Sequence, residues 1–327
     1  MSGRKKKNGK PQFSKASVWT SVCLGVMVFA ALLFQDAGLA GWLRQSVRDI
    51  AAAVEAAGFT EVGEGAAYTG DDLGTLEVHV LDCGQADAIL VLQDGHAMLV
   101  DAGEREHGQK ILDYLGTLGV DTLEYAVFTH PHSDHIGGAA AVLRGVRVEN
   151  VILSHAVHTT KTYENLLDAV EESGAQVFGA APGDTYTLGG AEFTVLSPDP
   201  ACEYDELNDY SVAFRLCFEG SSMLFTGDMG KTAENAILAA GYPVRSDVLK
   251  AGHHGSSTAS GQAFLDAVAP SVIVMTVEAD SDDNLPNPQT LERFEKTGAA
   301  IFRSDEDGLI VLRFDEGRIS VGTERAE

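Results

Sequence analysis

A run of ten residues at positions 129–138, THPHSDHIGG, constrains this chain more than any other segment. It follows an apolar stretch at 125–128 with the character of a strand, and it holds three imidazoles and one carboxylate close together. Imidazole and carboxylate are the usual protein ligands of Zn²⁺ and related divalent ions. A structural zinc is normally four-coordinate, so four candidate ligands in one loop favour two metals, or one metal beside an acid–base group.

Five motifs in order carry a family resemblance. The H-x-H-x-D-H loop resembles the hallmark of the metallo-β-lactamase superfamily. Four further segments resemble motifs of the metallohydrolase domain, stand-alone or C-terminal, of the competence protein ComEC. They are VLDCGQADA at 80–88, LVDAG at 99–103, LFTGD at 224–228 and LKAGHHGSS at 249–257. The resemblance covers roughly residues 75–322.

The periodicity of the sequence agrees with a two-sheet fold. Alternating and apolar patterns predict strands at 76–80, 88–92, 97–100, 125–129, 150–153, 192–196, 211–218, 223–226 and 247–250, and helices at 108–118, 138–143 and 163–173. Strand clusters interrupted by helices, in two similar halves, suit two packed sheets with helices outside. The resemblance implies an α/β fold of this kind, the four-layer αββα sandwich, here behind an N-terminal transmembrane segment.

The chain divides into four predicted segments. Residues 1–17 are a basic cytoplasmic tail, 18–34 a transmembrane anchor or signal peptide, 35–74 a stalk or linker, and 75–322 the hydrolase domain. The apolar run at 18–34 is slightly short for a spanning helix, which needs about 20 residues. We favour an uncleaved anchor; the alternative is a signal peptide cleaved near the small residues at 38–40. The positive-inside rule predicts an extracytoplasmic body in both cases, either single-pass in the cell membrane or secreted.

The chain is strongly acidic, with 23 Lys+Arg against 48 Asp+Glu and a formal net charge of −25. Six of the basic residues precede residue 16, so the remainder is more acidic still. Nucleic-acid-binding proteins usually present a basic surface, and an acidic body repels polyanions. Avid nucleic-acid binding is therefore not favoured, although metal ions would neutralise phosphate charge locally.

The cysteines predict no disulfide framework. Cys83, Cys202 and Cys217 follow the apolar run, and none forms a C-x-x-C pair. A Cys202–Cys217 disulfide is one interpretation, and free thiols are the preferred one.

The histidine loop and one distant aspartate supply the first set of predicted ligands. His130 and His132 are assigned to a first metal, and Asp134 and His135 to a second. Asp228 ends an apolar strand in Thr-Gly-Asp, where its carboxylate is placed to bridge two cations. We predict that Asp134 and Asp228 also act in catalysis.

Two histidine pairs leave the remaining ligands open. The superfamily usually takes the last ligand of the first metal from a histidine after the next strand, where His155 and His158 both lie. His158 is preferred because residues 157–163 resemble a V-T-H-T-T-K-T-Y segment of stand-alone relatives of the ComEC domain. Either His253 or His254 should complete the second metal's shell, and we prefer His253.

Several further residues are assigned to supporting roles. In the family the aspartate matching Asp101 orients a ligand histidine. The other candidates for support or substrate contact are His155, Asn208, Ser211, His254 and Ser256. Relatives often carry a histidine near the last helix, where this chain has Asn287.

The sequence predicts an exported, membrane-anchored hydrolase that depends on two divalent ions, with Zn²⁺ favoured and Mn²⁺ the alternative. Water held between two such ions loses a proton near neutral pH, which gives a bridging hydroxide. The resemblance implies a phosphodiester substrate, either a small molecule or a polymer. Phosphorylcholine esters and lactones are alternatives on the same fold. Two other classes stay open: a DNA-uptake component and a non-catalytic surface binding module.

Overall fold

The computed structural model describes the backbone of residues 60–64 and the full residues 74–279, 281 and 284–325. The predicted tail and apolar run, residues 1–34, lie outside the described residues. Within the described ranges, no helix combines the length and apolarity needed to cross a bilayer. The predicted linker at 35–74 contains a strand at 60–64, so the sheet begins earlier than the motifs predict.

The first sheet has nine strands. In chain order these are β1 (Thr60–Glu64), β2 (Leu76–Val80), β3 (Ile89–Gln93), β4 (His96–Val100), β5 (Thr122–Phe128), β6 (Arg147–Leu153), β7 (Gln176–Gly179), β15 (Ile310–Asp315) and β16 (Arg318–Thr323). Their order across the sheet is β1-β16-β15-β2-β3-β4-β5-β6-β7.

The second sheet has seven strands. They are β8 (Thr185–Leu188), β9 (Ala191–Ser197), β10 (Ala213–Phe218), β11 (Ser221–Phe225), β12 (Val248–Lys250), β13 (Val272–Met275) and β14 (Ala300–Arg303), adjacent in sequence order.

Two-residue turns join antiparallel neighbours in both sheets. Asp94 and Gly95 connect β3 to β4 with φ values of 47° and 86°, and Glu219 and Gly220 connect β10 to β11 with 47° and 85°. Positive φ at both central residues is the type I′ geometry, whose twist matches that of the flanking strands. These turns fix the register of the hairpins.

Helices cover the outer face of each sheet. Those described are α1 (His107–Leu118), α2 (Ser133–Ile136), α3 (Ala139–Gly145), α4 (Lys161–Ser173), α5 (Lys231–Ala240), α6 (Gln262–Val268), α7 (Pro288–Thr297) and α8 (Ser304–Asp307). Helix α7 begins at a cap in which Asn287 Oδ1 accepts a hydrogen bond from Gln289 N at 3.0 Å. Asn287 therefore caps a helix.

Three apolar clusters define the layers. Between the sheets, Val78 and Val127 of the first sheet share one buried cluster with Phe214 and Val274 of the second. A second cluster packs α1–α4 on the outer face of the first sheet, and a third packs α5–α7 on the second sheet. The predicted αββα sandwich is confirmed.

Parallel strands bring the predicted ligands to one edge. Strands β4–β7 run parallel in the first sheet, and β11–β14 run parallel in the second. Carboxyl ends of parallel strands lie at the same edge of a sheet, where open α/β folds bind their ligands. The loops after β4, β5, β11 and β12 carry Asp101, the histidine loop, Asp228 and the His253–His254 pair.

The three described cysteines are free thiols, which confirms the preferred interpretation. Cys83 is buried, whereas Cys202 and Cys217 are half-buried.

Candidate metal centre

Asp101, directly after β4, holds the histidine loop in place. Its side chain is fully buried, and its Oδ1 accepts a hydrogen bond from Thr129 N at 2.8 Å. Its Oδ2 accepts from Thr129 Oγ1 at 2.7 Å and lies 2.7 Å from His135 Nδ1. Because Oδ2 accepts the Nδ1 proton of His135, Nε2 is the ring nitrogen left for a metal. The structure thus places Asp101 behind a histidine of the loop, where the resemblance implied it.

His254 approaches the same space from the second sheet. Its Nδ1 donates to the Thr276 carbonyl oxygen at 2.8 Å, so its Nε2 is also free to coordinate. That Nε2 lies 3.4 Å from Asp134 Oδ2 and 3.6 Å from Asp228 Oδ2. His135 Nε2 lies 3.3 Å from each of these two oxygens.

The geometry favours His254 over His253, the reverse of the sequence preference. His253 Nε2 is 3.9 Å from Asp228 Oδ2, and its ring contacts Asn208 Nδ2 at 3.2 Å and Thr258 Oγ1 at 3.2 Å instead. Both histidines have left-handed backbone conformations, with φ of 48° and 50°. That turn buries the ring of His254 and leaves His253 partly exposed in the cavity wall.

His130 and His132 form a second group beside Asp228. His130 Nε2 lies 3.0 Å from His132 Nδ1 and 4.0 Å from Asp228 Oδ2. Two nitrogens bound about 2.0–2.1 Å from one tetrahedral zinc would be separated by roughly 3.3 Å. The pair is therefore spaced as two ligands of one ion.

His158 and His155 lie differently. The ring of His158 is 6.2 Å from that of His132, and its Nδ1 is 3.1 Å from Thr160 Oγ1. His155 packs against the ring of Tyr210 at 5.2 Å and is exposed. Only His158 is near the His130–His132 pair, which agrees with the sequence preference.

Unpartnered buried atoms show that the residues present fit a metal ion. Asp134, His135, Asp228 and His254 bring ligand atoms within 4.8 Å of one another. Within the described part of the chain, His135 Nε2, His254 Nε2 and Asp228 Oδ1 are buried without a hydrogen-bond partner. Each such atom costs about 1–3 kcal/mol. Imidazole and carboxylate together are a divalent-ion donor set.

The electrostatics of the cluster agree with a cation site. Burial lowers the pKa of His135 and of His254, but the facing carboxylates, Asp228 foremost, outweigh burial and raise both pKa values above the usual range. Burial likewise raises the pKa of Asp228, yet His135 and His254 hold it well below the usual value. Burial depresses the pKa of His130 well below the usual value, so this ring is neutral and ready to coordinate.

Ser211, Asn208 and Ser256 surround the cluster. Ser211 Oγ accepts from Asp228 N at 3.0 Å and lies 3.4 Å from His130 Nδ1, so it positions two predicted ligands. Asn208 contacts His253, as described above. Ser256 Oγ pairs with Thr258 Oγ1 at 2.9 Å and does not reach the cluster.

A buried ion pair beneath the cluster was missed by the sequence analysis. Lys250 Nζ lies 3.0 Å from Asp87 Oδ2, with 1% and 3% of the two side chains exposed. Asp87 Oδ1 accepts a short hydrogen bond from Thr276 Oγ1, and Thr276 also holds His254. Both charged residues stand inside recognised motifs, but only the fold shows that they pair.

A cavity of about 760 Å³ opens over the cluster. Asp134, Asp228 and His254 contribute to its wall, so a substrate in this space would touch the proposed ligands. The wall also includes Glu104, Glu106 and Glu278, which the sequence analysis did not single out.

Comparison with known proteins decides the family. The model of the family described as the metallo-beta-lactamase superfamily matches residues 81–275. The chain belongs to the metallo-beta-lactamase superfamily. Its members are generally metal-dependent hydrolases, and the matched range contains every residue of the cluster.

Relatives of this metallo-beta-lactamase domain include competence proteins, which confirms the predicted resemblance. ComE operon protein 3 of Bacillus subtilis is 28% identical over 260 residues, 73% of this chain and 33% of that protein. Competence protein ComA of Neisseria gonorrhoeae is 29% identical over 252 residues, 76% and 33% of the two chains. Recombination protein 2 of Haemophilus influenzae is 26% identical over 258 residues, 77% and 31%. The chain spans about a third of the length of these relatives.

Solved structures resemble the metallo-beta-lactamase fold of this chain more distantly. The metallo-beta-lactamase fold protein YhfI of Bacillus subtilis has a TM-score of 0.48 and 12% identity, covering 76% of this chain and all of that one. CmlA, a diiron beta-hydroxylase of Streptomyces venezuelae, has a TM-score of 0.45 and 14% identity, covering 72% and 53%.

Proposed function

We propose that this protein is an exported, membrane-anchored hydrolase that uses two divalent metal ions to cleave phosphodiesters. The observation that supports it most is the cluster of Asp134, His135, Asp228 and His254, with three buried atoms that lack hydrogen-bond partners among the described residues. Three of the four side chains are buried and Asp134 is partly exposed, and such a set is costly unless it binds a cation.

The two groups of histidines divide the proposed ligands between two ions. His130, His132 and His158 would hold one ion, and Asp134, His135 and His254 the other. Asp228 Oδ2 lies between them, 4.0 Å from His130 Nε2 and 3.3 Å from His135 Nε2. From this position its carboxylate would bind both ions. Zn²⁺ suits this imidazole-rich set, and Mn²⁺ is the alternative.

Bound divalent ions would supply an activated nucleophile and stabilise the charge that develops on the reacting group. The remaining contributions come from the chain. Asp101 and the Thr276 carbonyl fix the Nδ1 protons of His135 and His254, so that both Nε2 atoms face the carboxylates of Asp134 and Asp228. Ser211 holds the backbone of Asp228, and burial keeps His135, His254 and Asp228 largely out of contact with bulk solvent.

The names of the relatives support a phosphodiester as the substrate. The relatives are named for competence and recombination, processes of DNA, whose units are joined by phosphodiesters. They are much longer than this chain, so carrying this substrate class over to the chain is part of the proposal.

The basic residues 1–17 and the apolar run at 18–34 support an anchor with the hydrolase outside the cytoplasm. Protease added to intact spheroplasts should then digest residues 75–322, and full protection of them would contradict this orientation.

Metal analysis and a substrate panel test the proposal. The purified chain should bind about two divalent ions and cleave bis-p-nitrophenyl phosphate. Asp228→Asn removes a charge shared by both ions, so we expect activity to fall by at least about 100-fold while circular dichroism stays unchanged. Asp266→Asn, an exposed carboxylate on α6, is the matched control and should change nothing. Absence of bound metal after reconstitution in Zn²⁺ and in Mn²⁺, or hydrolysis only of a lactone or nitrocefin, would refute the proposal.

A further inference from the structure

The cavity over the metal centre contains carboxylates that the proposed ligand set does not use. Glu104, Glu106 and Glu278 belong to the same wall as Asp228 and His254. Glu278 lies over Gly84, since a Cβ added there would be 3.8 Å from Glu278 Cδ. The cavity therefore has acidic groups in addition to the metal-binding ones.

No lysine or arginine lies beside these carboxylates among the described residues that line the cavity. Arg105 and Lys110, close in sequence, are not part of the wall. Glu104 accepts a hydrogen bond from Ser133 Oγ at 3.1 Å. Glu106 and Glu278 form no ion pair with a described residue. Sites that bind a polyanion usually carry basic side chains, so this wall favours a substrate with a positive charge.

A second observation marks this cavity as a ligand site. His254 and Asp228 are 1% and 2% exposed, line the cavity, and each has a buried polar atom without a partner in the described part of the chain. These atoms mark the end of the cavity at which metal ions would bind the phosphate group of a substrate. The glutamates of the wall then remain available to bind another part of the same substrate molecule.

The type of cation follows from what the wall lacks. Proteins recognise quaternary ammonium groups such as choline with cages of aromatic rings. None of the described lining residues is a phenylalanine, tyrosine or tryptophan. A primary ammonium instead donates hydrogen bonds to carboxylates, which this wall offers.

We infer that the substrate is a phosphodiester that carries a primary ammonium group, and this inference rests on the proposed phosphodiesterase function. The phosphate lies at the metal centre, and the ammonium lies against Glu104, Glu106 and Glu278. In the reaction water adds to phosphorus, one P–O ester bond breaks, and the departing alcohol takes a proton. The phosphomonoester keeps the other substituent.

Three p-nitrophenyl phosphodiesters that differ in one substituent test the inference. The metal-loaded full chain is assayed on the 2-aminoethyl, n-propyl and choline esters. We expect the aminoethyl ester to have a kcat/KM at least about tenfold above that of the n-propyl ester, from Coulomb attraction in a partly solvated cavity. Raising the ionic strength should reduce that ratio. Calorimetry with phosphorylethanolamine and with n-propyl phosphate should show the same preference in binding.

Variants that remove glutamate charges test whether the cavity wall causes the preference for the aminoethyl ester. Glu106→Gln with Glu278→Gln should lower the aminoethyl-to-propyl ratio of kcat/KM about fivefold or more. Glu295→Gln, an exposed carboxylate on α7 outside the cavity, is the matched control and should leave the ratio unchanged.

Each contrary result has one meaning. Equal rates on the aminoethyl and n-propyl esters, or a choline ester cleaved best, would overturn the inference and leave the phosphodiesterase proposal intact. No turnover of any phosphodiester by metal-loaded protein would refute both. Soluble glycerophosphoethanolamine and vesicles of phosphatidylethanolamine distinguish a free ester from a lipid headgroup, and cleavage of neither would also overturn the inference.

Discussion

Breaking the buried ion pair between Lys250 and Asp87 should be among the most costly single substitutions in this protein. Charges 3.0 Å apart attract each other by about 5.5 kcal/mol at the effective dielectric of about 20 that suits protein interiors, before the cost of burying them is subtracted. Burial raises the pKa of Asp87, but Lys250 and the nearby histidines bring it below its usual value, so the carboxylate is ionised. Lys250→Met leaves that charge buried, and we expect a loss of about 3–5 kcal/mol in the free energy of unfolding.

Urea denaturation in the presence of a chelator measures this loss without a contribution from bound metal. The double variant Lys250→Met, Asp87→Asn removes both charges and keeps an oxygen to accept from Thr276. Its cost should be at least about 2 kcal/mol less than the sum of the two single variants. Lys296→Met breaks the exposed Lys296–Glu292 pair, 2.8 Å apart, and should cost well under about 1 kcal/mol. Additive single and double variants, or a loss below about 1 kcal/mol in Lys250→Met, would refute the reasoning.

Three further predictions follow from the geometry of the metal centre. Elemental analysis should show that His254→Ala loses one ion per chain, whereas His253→Ala keeps its full metal content; the opposite result would restore the sequence preference. The metal-free chain should become less stable as pH rises above about 6.5, because folded His135 and His254 keep protons that the unfolded chain releases. Thermal melts at pH 6.5 and 8.5 test this sign, and equal or higher stability at pH 8.5 would contradict it. Burial raises the pKa of Cys83 to about 12, so peptide mapping should find it unalkylated by iodoacetamide at pH 8 in the folded chain; rapid labelling would contradict this.

The sequence predicts the parts of the site that lie close together along the chain. The H-x-H-x-D-H loop specifies His130, His132, Asp134 and His135 because one strand end delivers all four side chains. The layers of the fold follow from periodicity and from the resemblance. Asp228 is predictable since a polar residue after an apolar strand lies at the sheet edge.

Other features depend on tertiary geometry that local patterns do not encode. The choice between His253 and His254 is set by two successive left-handed residues, a conformation uncommon outside glycine. The Lys250–Asp87 pair joins β12 of the second sheet to the loop before β3 of the first. Strand β7 has four residues that are mostly exposed, so it lacks a clear alternating pattern, and the alternation of β8 is only four residues long.

The strand at residues 60–64 has a consequence for how a fragment of this protein behaves in solution. It pairs with β16 through Thr60–Val321 and Glu61–Ser320, and so covers that edge of the nine-stranded sheet. A fragment cut at residue 75, where the motifs begin, would leave the backbone of β16 open to another molecule. Open edges of this kind promote pairing between chains. A fragment that starts at residue 59 keeps its own protective strand, so the first residue chosen determines whether the domain stays monomeric or self-associates.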